Sequence, residues 1–343
     1  MDAEVKIADI VRAVRKVVGP GPVPMLHKPF IDGNPFAGGF KDGPTGNYYI
    51  HEFEEMLAHV CGVSHAVAVS SGTAALHLAL LVAGMDKDCM VGIGNMTFAG
   101  AAAAIAYTGA TPVLGGGIPM EAFISTDLLG HAAIPADVPK SLMVIEDAAQ
   151  ALGTTLYGKP CGSFGRIGIM SFNNNQIVTT NGGGAVLTDF WGAAEFVRHM
   201  ATTAKVPSPF YYEHDAVGFN YRMGNINAAL GMHQLAGLEQ ILARKRETFA
   251  RYRAAFDEIG MDTEAPRAGE LHNCWLKTID VGSAGARDAL LVALQHEGIA
   301  ARAMFTPLYR QKPYQGLHVD AENAAAADAI FDRLVCLPSG MLQ

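Results

Sequence analysis

A two-lobed α/β architecture is what this sequence predicts. Three observations lead there: a chain of 343 residues, strand-length apolar bursts alternating with alanine-rich helical stretches up to about residue 240, and a different pattern beyond it. Single cores tend to split beyond roughly 250–300 residues, so a large domain with a smaller companion is the expected division. The division expected is residues 1–240, an N-terminal helix with the large domain, and residues 241–343, a small C-terminal domain.

Ile7, Ile10, Val11, Val14, Val17 and Val18 recur at three and four residues, the stripe of an amphipathic docking helix that Gly19-Pro20-Gly21-Pro22 ends. Residues 30–47 are rich in glycine and proline and lack periodicity, so they read as a loop near a site; helical spacing resumes over 49–60. Bursts at 66–69, 91–93, 111–114, 142–145, 168–172 and 185–187 alternate with helical stretches, which predicts a mostly parallel sheet covered on both faces. A long helical pattern over 226–259 leads out of the large domain. Beyond it, a strand over 274–281, a helix over 284–296, a strand near 300–304 and a helix over 320–335 make a small α+β lobe.

The formal charge of −8, from 25 basic and 33 acidic residues with no basic run, argues against nucleic acid or an anionic membrane as the main partner. The longest apolar stretches, 74–85 and 100–106, fall short of the roughly 20 residues a bilayer span needs and read as buried helices. Met1-Asp2-Ala3-Glu4 opens neither a basic nor an apolar signal region, so a cytoplasmic location is expected. The five cysteines are scattered without C-x-x-C spacing, and His272 and Cys274 lack the further ligands of a zinc site, so reduced thiols and no metal are expected.

Two segments have the pattern of a ligand site. Ser70-Ser71-Gly72-Thr73-Ala74-Ala75-Leu76-His77 follows an apolar strand and opens an apolar helix, which brings small residues and free N–H groups to a positive helix end, as phosphate binding needs. Taken alone, such a turn is also common as pure structure. Met143-Val144-Ile145-Glu146-Asp147-Ala148-Ala149-Gln150 places two acids and an amide at a strand's C-terminal end, where open α/β sheets bind ligands. A carboxylate there suits a protonated pyridine nitrogen, and equally suits a cap on the next helix.

With Thr97-Phe98, Gly162-Ser163-Phe164-Gly165, Ser171-Phe172-Asn173, Gly182-Gly183-Gly184-Ala185 and Gly218-Phe219-Asn220-Tyr221-Arg222-Met223, these segments resemble, in order and spacing, the DegT/DnrJ/EryC1/StrS family of pyridoxal phosphate (PLP)-dependent nucleotide-sugar aminotransferases. Thr202-Thr203-Ala204-Lys205-Val206-Pro207 is similar to the branch acting on UDP-linked 4-keto N-acetylated sugars. The resemblance covers most of residues 26–338 and implies a fold-type-I PLP-transferase. By it, Ser71, Gly72, Thr73 and Ser171 bind the cofactor phosphate, Phe98 stacks on the ring, Asp147 meets the pyridine nitrogen and Gln150 lies near the phenolic oxygen. Asn220 reaches the phosphate of the neighbouring subunit in a homodimer with shared sites. Without the resemblance, Phe98 reads as a core aromatic, and Asn220 with Arg222 as a loop-stabilising pair. Glutamate is the amino donor the family implies, and a nucleotide-linked 4-keto sugar the acceptor.

One position departs from the family. Gln176 stands where the resemblance places the lysine that forms a Schiff base with the cofactor and then moves the proton, and an amide does neither. Histidine at this position, as in PMP-dependent dehydratases of the family, titrates near neutrality; glutamine does not. The expectation is therefore a chain that holds PLP or pyridoxamine phosphate (PMP) non-covalently, as an impaired or trapped aminotransferase. The alternative is a catalytically silent homologue that binds cofactor or sugar, or that completes a lysine-bearing partner's site in a heterodimer. Lys159 and Lys205 read as solvated surface residues rather than replacements. The turn Gly115-Gly116-Gly117-Ile118-Pro119-Met120 is too short for an ordinary parallel crossover of about a dozen residues, so a strand out of place or missing is expected nearby.

Overall fold

The computed structural model describes residues 7–23, 48–133, 142–261 and 267–340; the expected loop over 30–47 lies outside them. The apolar bursts form the central sheet: β1 (His65–Val69), β2 (Met90–Ile93), β3 (Thr111–Leu114), β4 (Ala122–Thr126), β5 (Met143–Asp147), β8 (Ile167–Ser171) and β9 (Gly184–Thr188), in the order β1-β9-β8-β5-β4-β2-β3. Only β9 runs against its neighbours. Between β5 and β8 a small hairpin, β6 (Thr155–Leu156) and β7 (Lys159–Pro160), leaves the sheet.

The helices around the sheet follow from the same composition. Both α3 (Gly72–Val82) and α4 (Ala99–Thr108) are alanine-rich, so their backbones approach the sheet closely; α3 buries Ala74 through Leu80 without interruption. Helix α5 (Trp191–Ala201) completes that layer. On the opposite face lie α2 (Tyr48–Cys61) and α6 (Asn225–Ala236), with Phe53 edge-on to Phe172 at 5.1 Å between ring centroids. A second hairpin, β10 (Lys205–Val206) with β11 (Glu213–His214), projects from the end of α5.

The expected long helix over 226–259 is broken at Gly237, where α6 ends and α7 (Leu238–Asp257) begins. Strand β12 (Glu270–Leu271) pairs back onto β6. The small lobe then holds β13 (Lys277–Asp280), α8 (Ala284–His296), β14 (Arg302–Ala303), α9 (Ala321–Arg333) and β15 (Leu334–Leu337), with β15 central in its three-stranded sheet. Two expectations fail here. The first helix, α1 (Ile7–Val18), buries Ile10, Val14 and Val17 with Tyr252 and Phe256 of α7 and Leu290 and Leu294 of α8. It joins the small-lobe core, not the large domain with which residues 1–240 grouped it. No strand is lost around the short turn either: β3 and β4 both pair parallel with β2, one on each side. Residues 115–121 achieve this by lying on the sheet, with Gly92 supplying the space: a Cβ there would sit 2.4 Å from the Met120 sulfur and 2.7 Å from the Phe123 ring. Positive φ at Gly115 and Gly117 makes the turns.

Among the described residues no helix is long and apolar enough to cross a membrane.

Candidate active site

The C-terminal ends of β1, β5 and β8 converge on a cavity of about 310 Å³, and most of the expected residues line it: Ser71, Gly72, Thr73, Phe98, Asp147, Gln150, Ser171 and Gln176. Asn220 is not among the lining residues. It sits exposed on the segment after the β10–β11 hairpin, bridging to Thr202.

Ser71 caps α3: its backbone is extended and its Oγ accepts the Ala74 N–H at 3.0 Å. The first turn of α3 therefore faces the cavity with its positive end. Gly72 and Gly184 let three backbones meet here. A Cβ on Gly72 would lie 2.9 Å from the Ser171 Cβ, and one on Gly184 would lie 2.4 Å from the Ser71 carbonyl oxygen. Gly100 does the same for the opposite wall, where a Cβ would approach Thr73 Oγ1 to 2.7 Å and the Phe98 ring to 2.9 Å. Phe98 stands before α4 with 60% of its surface exposed, 6.3 Å from the Phe305 ring centroid, so it is not the core aromatic of the alternative reading.

Asp147 is 6% exposed. Burial raises its carboxyl to about 6; the Ala149 N–H, donating at 3.2 Å, opposes this and the neighbouring Glu146 charge adds to it. Glu146 points the other way and has a structural task. Its two oxygens accept the N–H groups of Gly162, Phe164 and Gly165 at 2.5, 2.5 and 2.8 Å. The two acids thus divide: one accepts backbone N–H groups beneath the site, the other lines the cavity. Gln150 accepts the Leu129 N–H at 2.7 Å through Oε1, which fixes its amide. Asp127 and Cys161 lie buried beside Glu146, a grouping not expected from the sequence because Asp127 directly follows the unpredicted strand β4.

Gln176 sits in the tight loop between β8 and β9. Its N–H donates to the Asn173 carbonyl at 3.0 Å, while Phe172 bonds backbone to backbone with Gly183 and Thr180, closing the loop behind it. The side-chain Oε1 is buried and without a hydrogen-bond partner. No lysine lines the cavity among the described residues. Lys159 lies over the Phe164 ring and Lys205 over the Tyr212 ring, both elsewhere. Trp275 and Phe305, from the small lobe, complete the lining. Neither was singled out from the sequence, because nothing local marks residues that tertiary packing brings from a distant segment.

A sheet of this order, with a helix N-terminus, a buried acid and a hairpin loop meeting at its strand ends, is that of the fold-type-I PLP-dependent aminotransferases. The chain belongs to the DegT/DnrJ/EryC1/StrS aminotransferase family, whose model matches residues 41–127 and 124–342. It is 33% identical over 323 residues to EpsN of Bacillus subtilis (strain 168), assigned as a pyridoxal phosphate-dependent aminotransferase, covering 85% of this chain and 83% of EpsN. It is also 33% identical over 305 residues to the GDP-perosamine synthase of Caulobacter vibrioides, with 81% and 82% covered. The crystal structure of a DegT DnrJ EryC1 StrS aminotransferase from Brucella abortus superposes with a TM-score of 0.77 at 27% identity, covering 96% of this chain and 90% of that one. The family is PLP-dependent. The cavity fits such a group: a glycine cradle at a helix end for an anion, a buried acid that suits a ring nitrogen, and a buried amide oxygen without a hydrogen-bond partner.

Proposed function

We propose that this chain carries the nucleotide-sugar aminotransferase site in a form that holds PLP or PMP without a covalent link. In this reading, amino transfer from glutamate to a UDP-linked 4-keto-6-deoxy-N-acetylhexosamine is impaired at the proton-transfer step. The observation that supports this is that Gln176, and no lysine among the described residues, lines the cavity shared by the α3 N-terminus and Asp147. Ser71, Gly72, Thr73 and Ser171 hold the phosphate by backbone and hydroxyl donors at the positive helix end. Phe98 covers the ring, Gln150 lies at its phenolic oxygen, and Asp147 pairs with the ring nitrogen. When bound, the cofactor supplies the electron sink. What the chain lacks is a group that takes and returns a proton near neutral pH, since an amide has no usable basicity.

The test is covalent labelling. Borohydride reduction of the chain with PLP should leave no adduct in the cavity peptides by mass, whereas Gln176→Lys should gain one. The same variant should aminate a UDP-4-keto sugar with glutamate, since a positioned acid–base group contributes about 10²–10⁴-fold. A cavity adduct on the unaltered chain would overturn the non-covalent reading. A labelled Gln176→Lys protein that aminates no nucleotide sugar would overturn the reaction.

A second reading has its own support. Asn220 is exposed, and the nearby hairpin carries Phe210, Tyr211 and Tyr212 with 83%, 67% and 85% of their surfaces uncovered. These features suit a dimer in which Asn220 serves the neighbouring site, with a second copy or with a lysine-bearing homologue. Mixing the chain with such a homologue, and finding no mixed dimer by sedimentation, would remove the heterodimer.

A further inference from the structure

Resting on the reading of the cavity as a cofactor site, we propose that Gln176 makes it select the aminated cofactor, PMP, over the aldehyde, PLP. The two forms differ in one substituent at ring carbon 4′. The amine carries N–H donors and is cationic near neutral pH; the aldehyde oxygen only accepts. Gln176 Oε1 is a buried acceptor without a hydrogen-bond partner among the described residues, on the loop that closes the cavity. An unmet buried acceptor carries its full desolvation cost, which a donor from the ligand relieves as the amide stands; an acceptor would relieve it only by turning the amide to present Nε2.

The remaining lining points the same way. It contains no lysine, arginine or histidine among the described residues, so nothing there repels an ammonium group or condenses with an aldehyde. The polar lining side chains beside Gln176 are Asn173 and Asn175, both neutral, and among the described residues Asp147 is the one carboxyl group on the wall. A cation at the 4′ position therefore meets a neutral acceptor and no cationic side chain among the described residues. A lysine at residue 176 reverses this preference, since it captures the aldehyde covalently and repels the ammonium. The glutamine thus changes which half of the cofactor cycle the chain holds. A chain that retains PMP waits for a keto sugar, the acceptor in the proposed reaction.

The experiment measures equilibrium binding to the full-length chain of three probes: PMP, PLP and 4′-deoxypyridoxine 5′-phosphate, which has a methyl group at the same carbon. Calorimetry or equilibrium dialysis serves, with no turnover needed. PMP is expected to bind about tenfold or more tighter than the deoxy analogue, the size of one charge-assisted hydrogen bond. PLP should gain nothing over the deoxy compound. In Gln176→Leu the preference for PMP should collapse towards one, while Gln176→Glu, which keeps the acceptor, should keep or increase it. Melting curves of both variants report that they are folded. Equal binding of PMP and the deoxy analogue, tighter binding of PLP, or an unchanged preference in Gln176→Leu would overturn the selection while leaving the cofactor site standing. Failure of all three probes to bind would overturn the cofactor reading itself, and the selection with it.

Discussion

Trp275 donates its indole N–H to the carbonyl oxygen of Asn175 at 2.6 Å, which ties the small lobe to the loop carrying Gln176. The contact crosses the cavity wall, since both residues line it. The packing of Trp275 and the placement of the loop that carries residue 176 are therefore linked. Trp275→Phe keeps a ring and removes the donor. It should cost about 0.5–1.5 kcal/mol in urea unfolding, the net size of one hydrogen bond, and should speed release of bound PMP in stopped flow. A variant that loses stability yet releases PMP at the parent rate would separate the lobes' contact from the loop.

Lys245, on α7, stands behind that tryptophan. Its ammonium group is buried and donates to the backbone carbonyls of Trp275, at 2.7 Å, and of Ser339. Burial lowers its pKa from an ordinary 10.5 to about 7. Between pH 7 and 10.5 the unfolded chain then binds the extra proton, so the Lys245 contribution to stability grows as pH rises through this window and is lost as pH falls towards 7. Unfolding midpoints measured at pH 7 and pH 9 should show the rise in the parent chain and a flatter profile in Lys245→Met. A profile unchanged by the substitution would assign the slope to other groups.

Much of the fold was legible because it is written locally. The alanine-rich runs of α3 and α4 and the apolar bursts of β1, β2, β3 and β9 are each set by period and composition. Besides the two-residue strands β6, β7, β10, β11 and β12, which are too short to leave a pattern, two longer strands were not legible. Ala122-Phe123-Ile124-Ser125-Thr126 mixes polar and apolar residues in too few positions to declare β4, and Leu334-Val335-Cys336-Leu337 continues the apolar pattern of α9, so β15 was absorbed into a helix. The assignment of α1 to the wrong lobe has the same cause: an apolar stripe says that a helix docks, not where. Ser71, Asp147 and Gln176 were legible as motif positions; Trp275 and Phe305 depend on how the lobes meet.

The short crossover should be fragile at one point. Gly92→Ala forces a methyl group against the Met120 sulfur and the Phe123 ring, both side chains lying on the sheet. Overpacking of this kind costs about 1–3 kcal/mol, read as a lowered melting temperature. Because Met120 is the nearer obstacle, Met120→Ala in the same chain should return part of the loss. A double variant no better than Gly92→Ala would mean that Phe123, or the β2 backbone, bears the strain.

Asp147 should show the opposition between stability and binding most directly. Its raised pKa, about 6 against an ordinary 3.8, means that the folded chain holds its proton at pH values where the unfolded chain has lost it. Its contribution is therefore fully present below about pH 4 and falls away as pH rises through 6; above that, the folded chain carries a buried charge. A shift of this size corresponds to roughly 3 kcal/mol at most. Asp147→Asn removes the charge with little change in volume. In the cofactor-free chain it should raise the melting temperature at pH 8 and leave it nearly unchanged at pH 4. The same substitution should weaken PMP binding about tenfold or more, because the ring nitrogen loses its charged partner. If the variant melts lower at pH 8, the carboxylate has a stabilising partner in the folded chain; if it binds PMP as tightly as the parent, the ring nitrogen does not meet Asp147.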